Sequence, residues 1–387
     1  MDRGWVKSFF DGISARVWLS QFQDKIWRLT RSLRYASTRH KPDGRPTILF
    51  MYYPNAIAES QLYPFHLYRK TLLKRLGLRV IAVPLASASK LNIVDFSNVK
   101  LVAIQTHFRI SPEQLVDILS LIRTTFHSAQ IVYFDWFAPS DLRLFSLIEP
   151  YVNRYVKKTV FVNYDQYRAP YFGDTNLMDY YGNLYPCDHQ FHQYQIPKSV
   201  DKKLMTGVGF ISSPYLHSLF SRSSLPEEGD RPIDVNARFA TRGSGWYLAM
   251  RSEALNAALS LSPEYLVVSG SISRAKYLIE LGSSKLTFSP FGYGEICWRD
   301  YEAIALGSLL IKPDMGHLKV NPDIFVPYET YIPVAWDFSD FEEKVVYYLN
   351  HPEERARITK NAFAVGSQFV RKKAFVDHVN ELIEPVF

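Results

Sequence analysis

The sequence contains little cysteine and no long apolar segment. Its two cysteines, Cys187 and Cys297, predict no disulfide framework, so we expect a reducing, cytoplasmic location. The apolar runs are strand-sized, whereas crossing a bilayer takes about 20 consecutive apolar residues. The N-terminal segment carries charges among its apolar positions and has no small-residue cleavage site, so we do not expect a signal peptide. A Walker phosphate loop, a Ser-His-Asp pattern and a DxD metal motif are also missing.

The net charge of +7 is concentrated at the N-terminus. Residues 1–41 hold nine Lys or Arg against three Asp, which accounts for +6 of that charge. Apolar side chains, including Trp5, Trp18 and Trp27, recur there at spacings of three and four and predict one or two amphipathic helices. Such helices suit an anionic membrane surface, and they equally suit packing on the protein's own domain or on a partner. Because the rest of the chain is almost neutral, we expect no nucleic-acid partner.

After this segment, short apolar runs alternate with amphipathic stretches of helical period. We predict a strand at Thr47–Tyr53, a helix at Pro112–Phe126 capped by Ser111, and another helix at Leu142–Tyr155. Residues 163–205 are rich in Tyr, Asn, Asp and Gly and predict a long irregular insertion. Strands that alternate with helices in this way predict parallel βαβ units in doubly wound sheets.

The length of 387 residues suits two domains, and a second α/β series begins near Val208. We therefore predict an α/β fold in which two Rossmann-like domains face a central cleft, with an amphipathic helical extension before them. The terminal helix is expected to be interrupted near Gly366 and to cross back to the first domain. The predicted segments are the basic extension 1–41, the N-terminal domain 45–205, the C-terminal domain 206–365 and the terminal helix 366–387.

One segment near residue 300 carries most of the chemical information. A predicted strand is followed by a loop with Gly292 and Gly294, and then by a helix that carries Arg299 and Glu302. A glycine loop before a helix offers free backbone N–H groups and a positive dipole end to a phosphate. An arginine adds a charge-assisted contact to the phosphate. A carboxylate three residues further, on roughly the same helix face, can accept hydrogen bonds from both hydroxyls of a ribose.

This segment resembles the donor-site motif of GT-B glycosyltransferases, especially the exostosin-like and family-1-like families. The matching residues are Ser289, Pro290, Gly292, Gly294, Arg299, Glu302, Ala303, Ile304, Gly307, Leu309 and Leu310. The resemblance covers about residues 233–365. It implies the GT-B fold and a nucleotide-sugar donor, with Glu302 on the ribose and with Arg299, Ser289 and the glycine loop, including Tyr293, around the diphosphate. It also implies that no metal or other cofactor is required, because basic groups and the helix terminus offset the leaving diphosphate.

Two acidic residues, Asp135 and Glu295, are the catalytic candidates. Asp135 ends the strand IVYFD at the edge where the first domain of a GT-B enzyme supplies a general base, if the reaction inverts. Glu59 and His107 are alternative bases. Glu295 stands near the first of the two glutamates of retaining GT-B enzymes, but it is one residue closer to Glu302, so the stereochemical outcome stays open.

Further polar residues are candidate ligands of the donor or of a metal. Arg238 and Arg242 follow the first strand of the second domain on a glycine-bearing loop, where they are placed to meet a diphosphate. The Cys187–His192 stretch holds three potential metal ligands, but no second cluster completes a tetrahedral site. We therefore predict no metal site.

Together with the resemblance, these residues predict a glycosyltransferase that moves a sugar from a nucleoside diphosphate to a glycan or lipid-linked acceptor, in polysaccharide or glycoconjugate biosynthesis. Two alternatives remain open. A nucleotide-sugar epimerase would convert the donor without an acceptor, and a non-catalytic protein would bind a nucleotide or a glycan through the same fold. If residues 1–41 dock on lipid, the protein is peripheral on the cytoplasmic membrane face.

Overall fold

The computed structural model describes residues 44–86, 98–225, 231–243 and 245–384. The predicted extension 1–41 lies outside these residues. In chain order, the strands are β1 (Thr47–Tyr52), β2 (Arg79–Pro84), β3 (Val99–Ile104), β4 (Gln130–Asp135), β5 (Arg154–Lys157), β6 (Thr159–Phe161), β7 (Tyr171–Phe172), β8 (Phe191–His192), β9 (Leu204–Thr206), β10 (Ile233–Ala237), β11 (Val267–Ser269), β12 (Ser284–Phe288), β13 (Leu309–Pro313), β14 (Leu318–Val320) and β15 (Ile332–Val334). The helices are α1 (Glu59–Leu67), α2 (Arg69–Leu76), α3 (Pro112–Thr125), α4 (Phe145–Ile148), α5 (Asn176–Leu184), α6 (Val200–Lys203), α7 (Pro214–Phe220), α8 (Gly245–Leu259), α9 (Arg274–Gly282), α10 (Trp298–Leu306), α11 (Phe341–Asn350), α12 (Pro352–Lys372) and α13 (Ala374–Ile383). No helix within the described ranges has both the length and the apolar content of a bilayer span.

The first domain contains a six-stranded sheet in the order β2-β1-β3-β4-β5-β9, in which neighbouring strands are parallel. All six residues of β1 are buried, as expected for a parallel strand that helices cover on both faces. The predicted cap of α3 is confirmed, because Ser111 Oγ accepts the backbone N–H of Gln114 at 3.3 Å.

The second domain repeats this plan with a parallel sheet in the order β11-β10-β12-β13-β15. In each sheet the chain lays its second strand on one side of the first and its third strand on the other. This reversal opens a crevice at the carboxyl ends of the strands, where doubly wound sheets bind their ligands.

The two domains are joined by more than the connecting chain. Strand β6, which follows β5 of the first sheet, pairs antiparallel with β14 of the second domain. Helix α13 packs back on α2, β3 and β4, and α5 packs on α8. At this last contact the Tyr181 ring stacks on Trp246 at 5.9 Å and on Trp336 at 6.2 Å, and its hydroxyl donates to the Trp336 carbonyl oxygen at 2.9 Å.

The predicted helix at Leu142–Tyr155 is wrong. Only α4 is α-helical there, a single 3₁₀ turn follows, and the chain then enters β5. Pro150 has no N–H to donate within a helix. Asn153 then anchors the turn, since its Oδ1 accepts the backbone N–H of Ile131 at 2.9 Å and a guanidinium N–H of Arg123 at 2.8 Å. Tertiary contacts therefore override the apolar spacing of this stretch.

Two more expectations need correction. The 163–205 insertion is not wholly irregular, because it contains α5, whose Thr175 cap accepts the backbone N–H of Met178 at 3.1 Å. The terminal helix is not interrupted near Gly366, since α12 runs through it to Lys372 and is capped by Lys373, which has a left-handed φ of 59°. Gly366 serves a close approach, because a Cβ at this position would overlap the buried Phe220 ring.

Candidate functional site

A cavity of about 660 Å³ opens at the carboxyl edge of the second sheet. The loop after β10, the loop between β11 and α9, and the start of α10 form its wall. This volume lies within the range of about 300–1,000 Å³ that is usual for small-molecule sites. The lining residues are Arg238, Phe239, Ala240, Thr241, Arg242, Arg251, Gly270, Ser271, Ile272, Arg274, Tyr277, Cys297, Trp298, Arg299 and Glu302.

Positive charge dominates the cavity wall. Five of its lining residues are arginines, and Glu302 is the single acidic residue among the described residues that line it. A concave site with such an excess of one sign focuses the electrostatic potential and raises the local concentration of ligands of the opposite sign. The cavity is therefore suited to a polyanionic small molecule.

Glu302 lies on the buried face of α10 and is 2% exposed. Its Oε1 accepts the Tyr215 hydroxyl at 2.9 Å and lies 3.2 Å from Nη2 of Arg274, and its Oε2 accepts the Tyr277 hydroxyl at 3.0 Å. Burial, and then the Glu302 charge, raises the pKa of both phenols well above the usual range, so both stay neutral donors. Three of about four lone-pair sites on the carboxylate are thus occupied.

A series of buried polar side chains fixes the position of Arg299. Its Nε donates to Ser289 Oγ at 3.1 Å, and that hydroxyl donates in turn to Asp300. Asp300 accepts the backbone N–H of Cys297 at 2.8 Å, and its Oδ2 lies 3.2 Å from Nζ of Lys312. Both members of this ion pair are fully buried. Ser289 therefore orients Arg299 and does not itself line the cavity.

The other arginines differ in how firmly they are held. Arg251 is 5% exposed, and its Nε donates to the Phe291 carbonyl oxygen at 2.7 Å. Burial, and then the nearby Arg299 charge, lowers the pKa of Arg251 to about 10, so it remains protonated at neutral pH. Arg238 pairs with Glu280, with 2.8 Å between Nε and Oε2. Arg242 is exposed on the loop after β10.

The glycine loop contacts the other domain. Gly292, Tyr293 and Gly294 are not among the lining residues of the cavity. A Cβ on Gly294 would overlap the Ala138 carbonyl oxygen, so this glycine allows the backbones of the two domains to meet. The exposed Tyr293 ring stacks on Tyr247 with 4.1 Å between centroids. Diphosphate contact by these three residues stays a prediction.

Glu295 is fully buried at the same junction. Its Oε2 accepts the Ser140 hydroxyl at 2.8 Å, and its Oε1 accepts the Asn176 amide at 3.1 Å, both from the first domain. Nε2 of His317, from the second domain, lies 3.6 Å from Oε1. Burial alone would raise the pKa of Glu295, but the contacts with His317, Ser140 and Asn176 outweigh it and lower the pKa.

Asp135 is 1% exposed at the end of β4. Its Oδ2 accepts Lys157 Nζ at 2.8 Å and the Tyr155 hydroxyl at 2.7 Å, and its Oδ1 accepts the backbone N–H of Phe137 at 2.9 Å. These contacts give Asp135 a structural role, and its action as a general base stays a prediction. Of the alternative bases, Glu59 is buried in the first turn of α1, and His107 accepts the backbone N–H of Arg109 at its Nδ1, at 3.1 Å.

Three residues that hold Glu302 are not predicted from the sequence, and the Cys187–His192 stretch does not form a metal site among the described residues. Tyr215, Tyr277 and Arg274 hold Glu302, yet they lie 25 to 87 positions from it and belong to no recognisable motif. In the Cys187–His192 stretch, the His189 ring packs on Phe172 at 5.5 Å. In the part of the chain that the structure describes, no group of three or more His, Cys, Asp or Glu is arranged to hold a metal ion.

Two Rossmann-like domains with parallel sheets, joined across a cleft and closed by a returning C-terminal helix, define the GT-B fold. No protein-family model and no curated protein matches the sequence. Solved structures do match the fold. A glycosyltransferase from Rickettsia africae is 13% identical with a TM-score of 0.50, and the match covers 88% of this chain and 99% of that one. The Anabaena protein HepE in complex with UDP is 11% identical with a TM-score of 0.49, over 87% of this chain and 98% of that one. An α-glucosyltransferase in complex with UDP is 10% identical with a TM-score of 0.48, over 87% and 100%. At such identities the likeness concerns the fold, and function has to be argued from the site.

Proposed function

We propose that this protein is a glycosyltransferase that takes a sugar from a nucleoside-diphosphate donor. The observation that carries the proposal is the cavity at the carboxyl edge of the second sheet, where five arginines surround one buried carboxylate, Glu302. The groups of a nucleotide sugar match this lining, since its charged diphosphate suits the arginines and its neutral ribose carries two hydroxyls that suit the carboxylate. The Rickettsia glycosyltransferase has the same fold, which agrees with the proposal.

The diphosphate would contact Arg299, Arg251 and Arg242, with the N-terminus of α10 adding its dipole. Arg299 and Arg251 are held by Ser289 Oγ and by the Phe291 carbonyl oxygen, so little reorganisation is needed when charge develops on the leaving group. In this proposal the cationic side chains supply the charge that a metal ion supplies elsewhere. Donor binding in the presence of EDTA tests that point, and a loss of binding would contradict it.

The ribose would be held by Glu302. About one lone-pair site on its carboxylate remains beside Tyr215, Tyr277 and Arg274, so one hydroxyl can be accepted directly. Acceptance of a second hydroxyl requires one of the present donors to leave. Arg274 is suited to this, because its side chain is 48% exposed and its guanidinium can be hydrated when it leaves the buried carboxylate.

On the acceptor side, we propose a glycan or lipid-linked hydroxyl as the nucleophile and Asp135 as its base, if the reaction inverts. Asp135 would have to release Tyr155 or Lys157 before it could take a proton. For Glu295 we propose a positioning role between the domains, since both of its oxygens are bonded to the first domain. Asp135→Asn should abolish transfer and leave donor binding intact, and full activity in this variant would remove Asp135 from the mechanism.

We also propose that residues 1–41 hold the protein on the cytoplasmic membrane face. The support is the sequence itself, in which a net charge of +6 is interleaved with apolar residues that include three Trp. Full-length protein should float with anionic liposomes and lose this behaviour when residues 1–41 are removed. Equal flotation of both proteins would end this part of the proposal.

The function is tested by supplying nucleotide sugars to the purified full chain, with and without a mixture of candidate acceptors. The release of nucleoside diphosphate together with a glycosylated acceptor is the expected result. Conversion of the donor to its epimer without release would make the protein an epimerase. Tight binding with neither outcome would make it a non-catalytic nucleotide-binding protein, and the absence of binding would remove the donor site altogether.

A further inference from the structure

Two buried lysines lie side by side where the first sheet meets the second domain. Lys157 ends β5, and Lys158 separates it from β6, the strand that pairs with β14 of the second domain. Lys157 is paired with Asp135, with 2.8 Å between Nζ and Oδ2. Lys158 is 5% exposed, yet its Nζ forms no hydrogen bond and no ion pair with any residue that the structure describes. A buried ammonium group without a paired anion costs free energy, which marks Lys158 as a candidate for a functional role.

Lys158 contacts the aromatic ring of Phe210. Its Nζ lies 4.5 Å from the centroid of that ring, within the range of a cation–π interaction. Phe210 begins a 3₁₀ turn in the connection between the two domains and stacks on Trp298 with 4.3 Å between centroids. Trp298, the first residue of α10, lines the proposed donor cavity and also stacks on Tyr215 at 5.7 Å. We call Phe210, Trp298 and Tyr215 the ring stack, and it joins Lys158 to the cavity wall.

The ring stack brings the charge of Lys158 close to the donor cavity. Its Nζ lies at most about 8.8 Å from the Trp298 centroid, because this separation cannot exceed the sum of the Nζ–Phe210 distance and the Phe210–Trp298 distance. Phe210 is itself buried, so rings rather than solvent fill the space between them. At an effective dielectric constant of about 20, two unit charges roughly 12 Å apart change a protonation equilibrium about tenfold. An anion against the cavity side of Trp298 would therefore be attracted by Lys158 without a direct contact.

The surroundings of Lys158 set its charge state. Burial, and then the charge of Lys157, lowers the pKa of Lys158 to about 7, although Asp135 offsets part of this effect. The elements packed against β6 and against the turn of Phe210 also carry ionisable side chains, which are Glu59 of α1, His217 of α7, Asp300, Tyr301 and Glu302 of α10, and Lys319 of β14. Helix α12 approaches this turn at Gly366, where it has no side chain. At neutral pH Lys158 is therefore only partly protonated, and a nearby anion can complete its protonation.

We propose that Lys158 is a positioning residue of the donor site, where its charge acts across the ring stack on the diphosphate of the donor. The inference rests on the proposed function, because it requires an anionic donor in the cavity. In this arrangement donor binding and protonation of Lys158 favour each other, so the complex takes up a proton near neutral pH. Nucleotide affinity is greatest at low pH, where Lys158 is already charged. It falls as the pH rises through the pKa of Lys158 in the complex.

The test is isothermal titration calorimetry of the purified full chain between pH 6 and pH 9, with whichever diphosphate of the five common nucleosides binds most tightly. The Kd of wild type should rise about tenfold over this range. Lys158→Met keeps the apolar stem without the charge, so it should bind about tenfold more weakly than wild type at pH 6 and equally at pH 9. Lys158→Arg keeps a charge that does not titrate in this range, so it should retain the low-pH affinity up to pH 9. Lys319→Met is the matched control, because Lys319 is an exposed lysine on the neighbouring strand β14, and it should follow wild type.

The differences between the proteins are the readout, because titration of the nucleotide itself contributes equally to all of them. If wild type and Lys158→Met differ about tenfold at pH 6 and converge at pH 9, Lys158 acts on the donor through its charge. If Lys158→Met shares the wild-type pH profile, or binds more weakly by the same factor at every pH, the inference is overturned and the donor cavity stands. If no nucleotide binds to wild type, the proposed function fails, and this inference fails with it.

Discussion

Glu302→Gln is the substitution that most directly tests the donor site. Glutamine has the same shape but only one acceptor oxygen, so one of the Tyr215 and Tyr277 hydroxyls keeps its acceptor and the other phenol oxygen can accept the new amide N–H. The surroundings of this 2% exposed side chain should therefore remain packed. The substitution removes the negative charge and replaces one acceptor oxygen by an N–H donor. The ion pair with Arg274 is also lost, but that arginine is half exposed, so the loss should cost only ~0–1 kcal/mol of folding stability.

The loss in ligand affinity should be larger than the loss in stability. A hydrogen bond from a ribose hydroxyl to a buried carboxylate contributes roughly 1.5–3 kcal/mol, so its loss should raise the nucleotide Kd by about ten- to 150-fold. A ligand at about 100 times its Kd stabilises the folded protein by ~2.7 kcal/mol. At the same ligand concentration, the weakened variant should therefore gain only ~0.3–1.3 kcal/mol.

A thermal-shift screen with the diphosphates of the five common nucleosides measures both quantities. The variant without ligand should melt close to wild type, and the ligand-induced shift should shrink for the nucleotide that stabilises wild type. Glu329→Gln is the matched control, because its side chain is 59% exposed on the loop before β15. An undiminished shift in a folded Glu302→Gln protein would show that the ribose is not held there, and the assignment of this cavity would be refuted.

Three further predictions concern stability. Glu295→Ala removes a fully buried acceptor of the Ser140 hydroxyl and should cost ~2–4 kcal/mol and expose the domain junction to limited proteolysis; an unchanged melting curve would show that this contact does not hold the domains. Burial lowers the pKa of His217 to about 4, so the unfolded state binds more protons than the folded state between pH 4 and 6.5, and the free energy of unfolding should fall as the pH drops through that window. His217→Gln should reduce this loss by up to ~2 kcal/mol at pH 5. Identical stability–pH profiles for the two proteins would show that His217 does not cause the loss. Gly366→Ala gains ~1 kcal/mol of helix propensity but forces a Cβ into the Phe220 ring at a cost of ~1–3 kcal/mol, so a chemical denaturation midpoint below that of wild type is expected, and a higher midpoint would mean that the ring moves freely.

Much of the fold could be predicted because buried parallel strands are apolar runs that stand out in any sequence. Strand β1 is such a run, and its six buried residues lie within the predicted Thr47–Tyr53. Helix α5 was missed, because its sequence NLMDYYGNL has weak helix formers and a glycine. Its contacts explain why it folds, since Tyr181 is packed against Trp246 and Trp336 of the other domain. Such a tertiary contact leaves no periodic pattern in the sequence.

The candidate site also contains residues that the sequence predicts and residues that it does not. Arg299 and Glu302 could be identified because they lie on one helix three residues apart, and both line the cavity. Tyr215 was not predicted, because it is brought to Glu302 from 87 residues away by the packing of α7 on α10. Gly294 shows a different limit of prediction from the sequence. A glycine suits a phosphate loop and a close backbone approach for the same reason, the absence of a side chain, and only the position of Ala138 tells the two apart.

Four of the five arginines of the cavity fall into two groups with different consequences for binding. Arg251 and Arg299 are anchored to neighbouring protein groups, and the domains around them are tied together by the β6–β14 pairing. Because their positions are set before a ligand arrives, they contribute to affinity without an ordering cost. Arg242 and Arg274 are exposed and lose side-chain entropy when they close on a ligand. A ligand that needs only the fixed pair should therefore bind with less ordering, whereas one that engages all four should order the loops after β10 and β11. A nucleotide, which has both a diphosphate and a ribose, should engage all four arginines. It should therefore protect these two loops from hydrogen exchange more than pyrophosphate alone does.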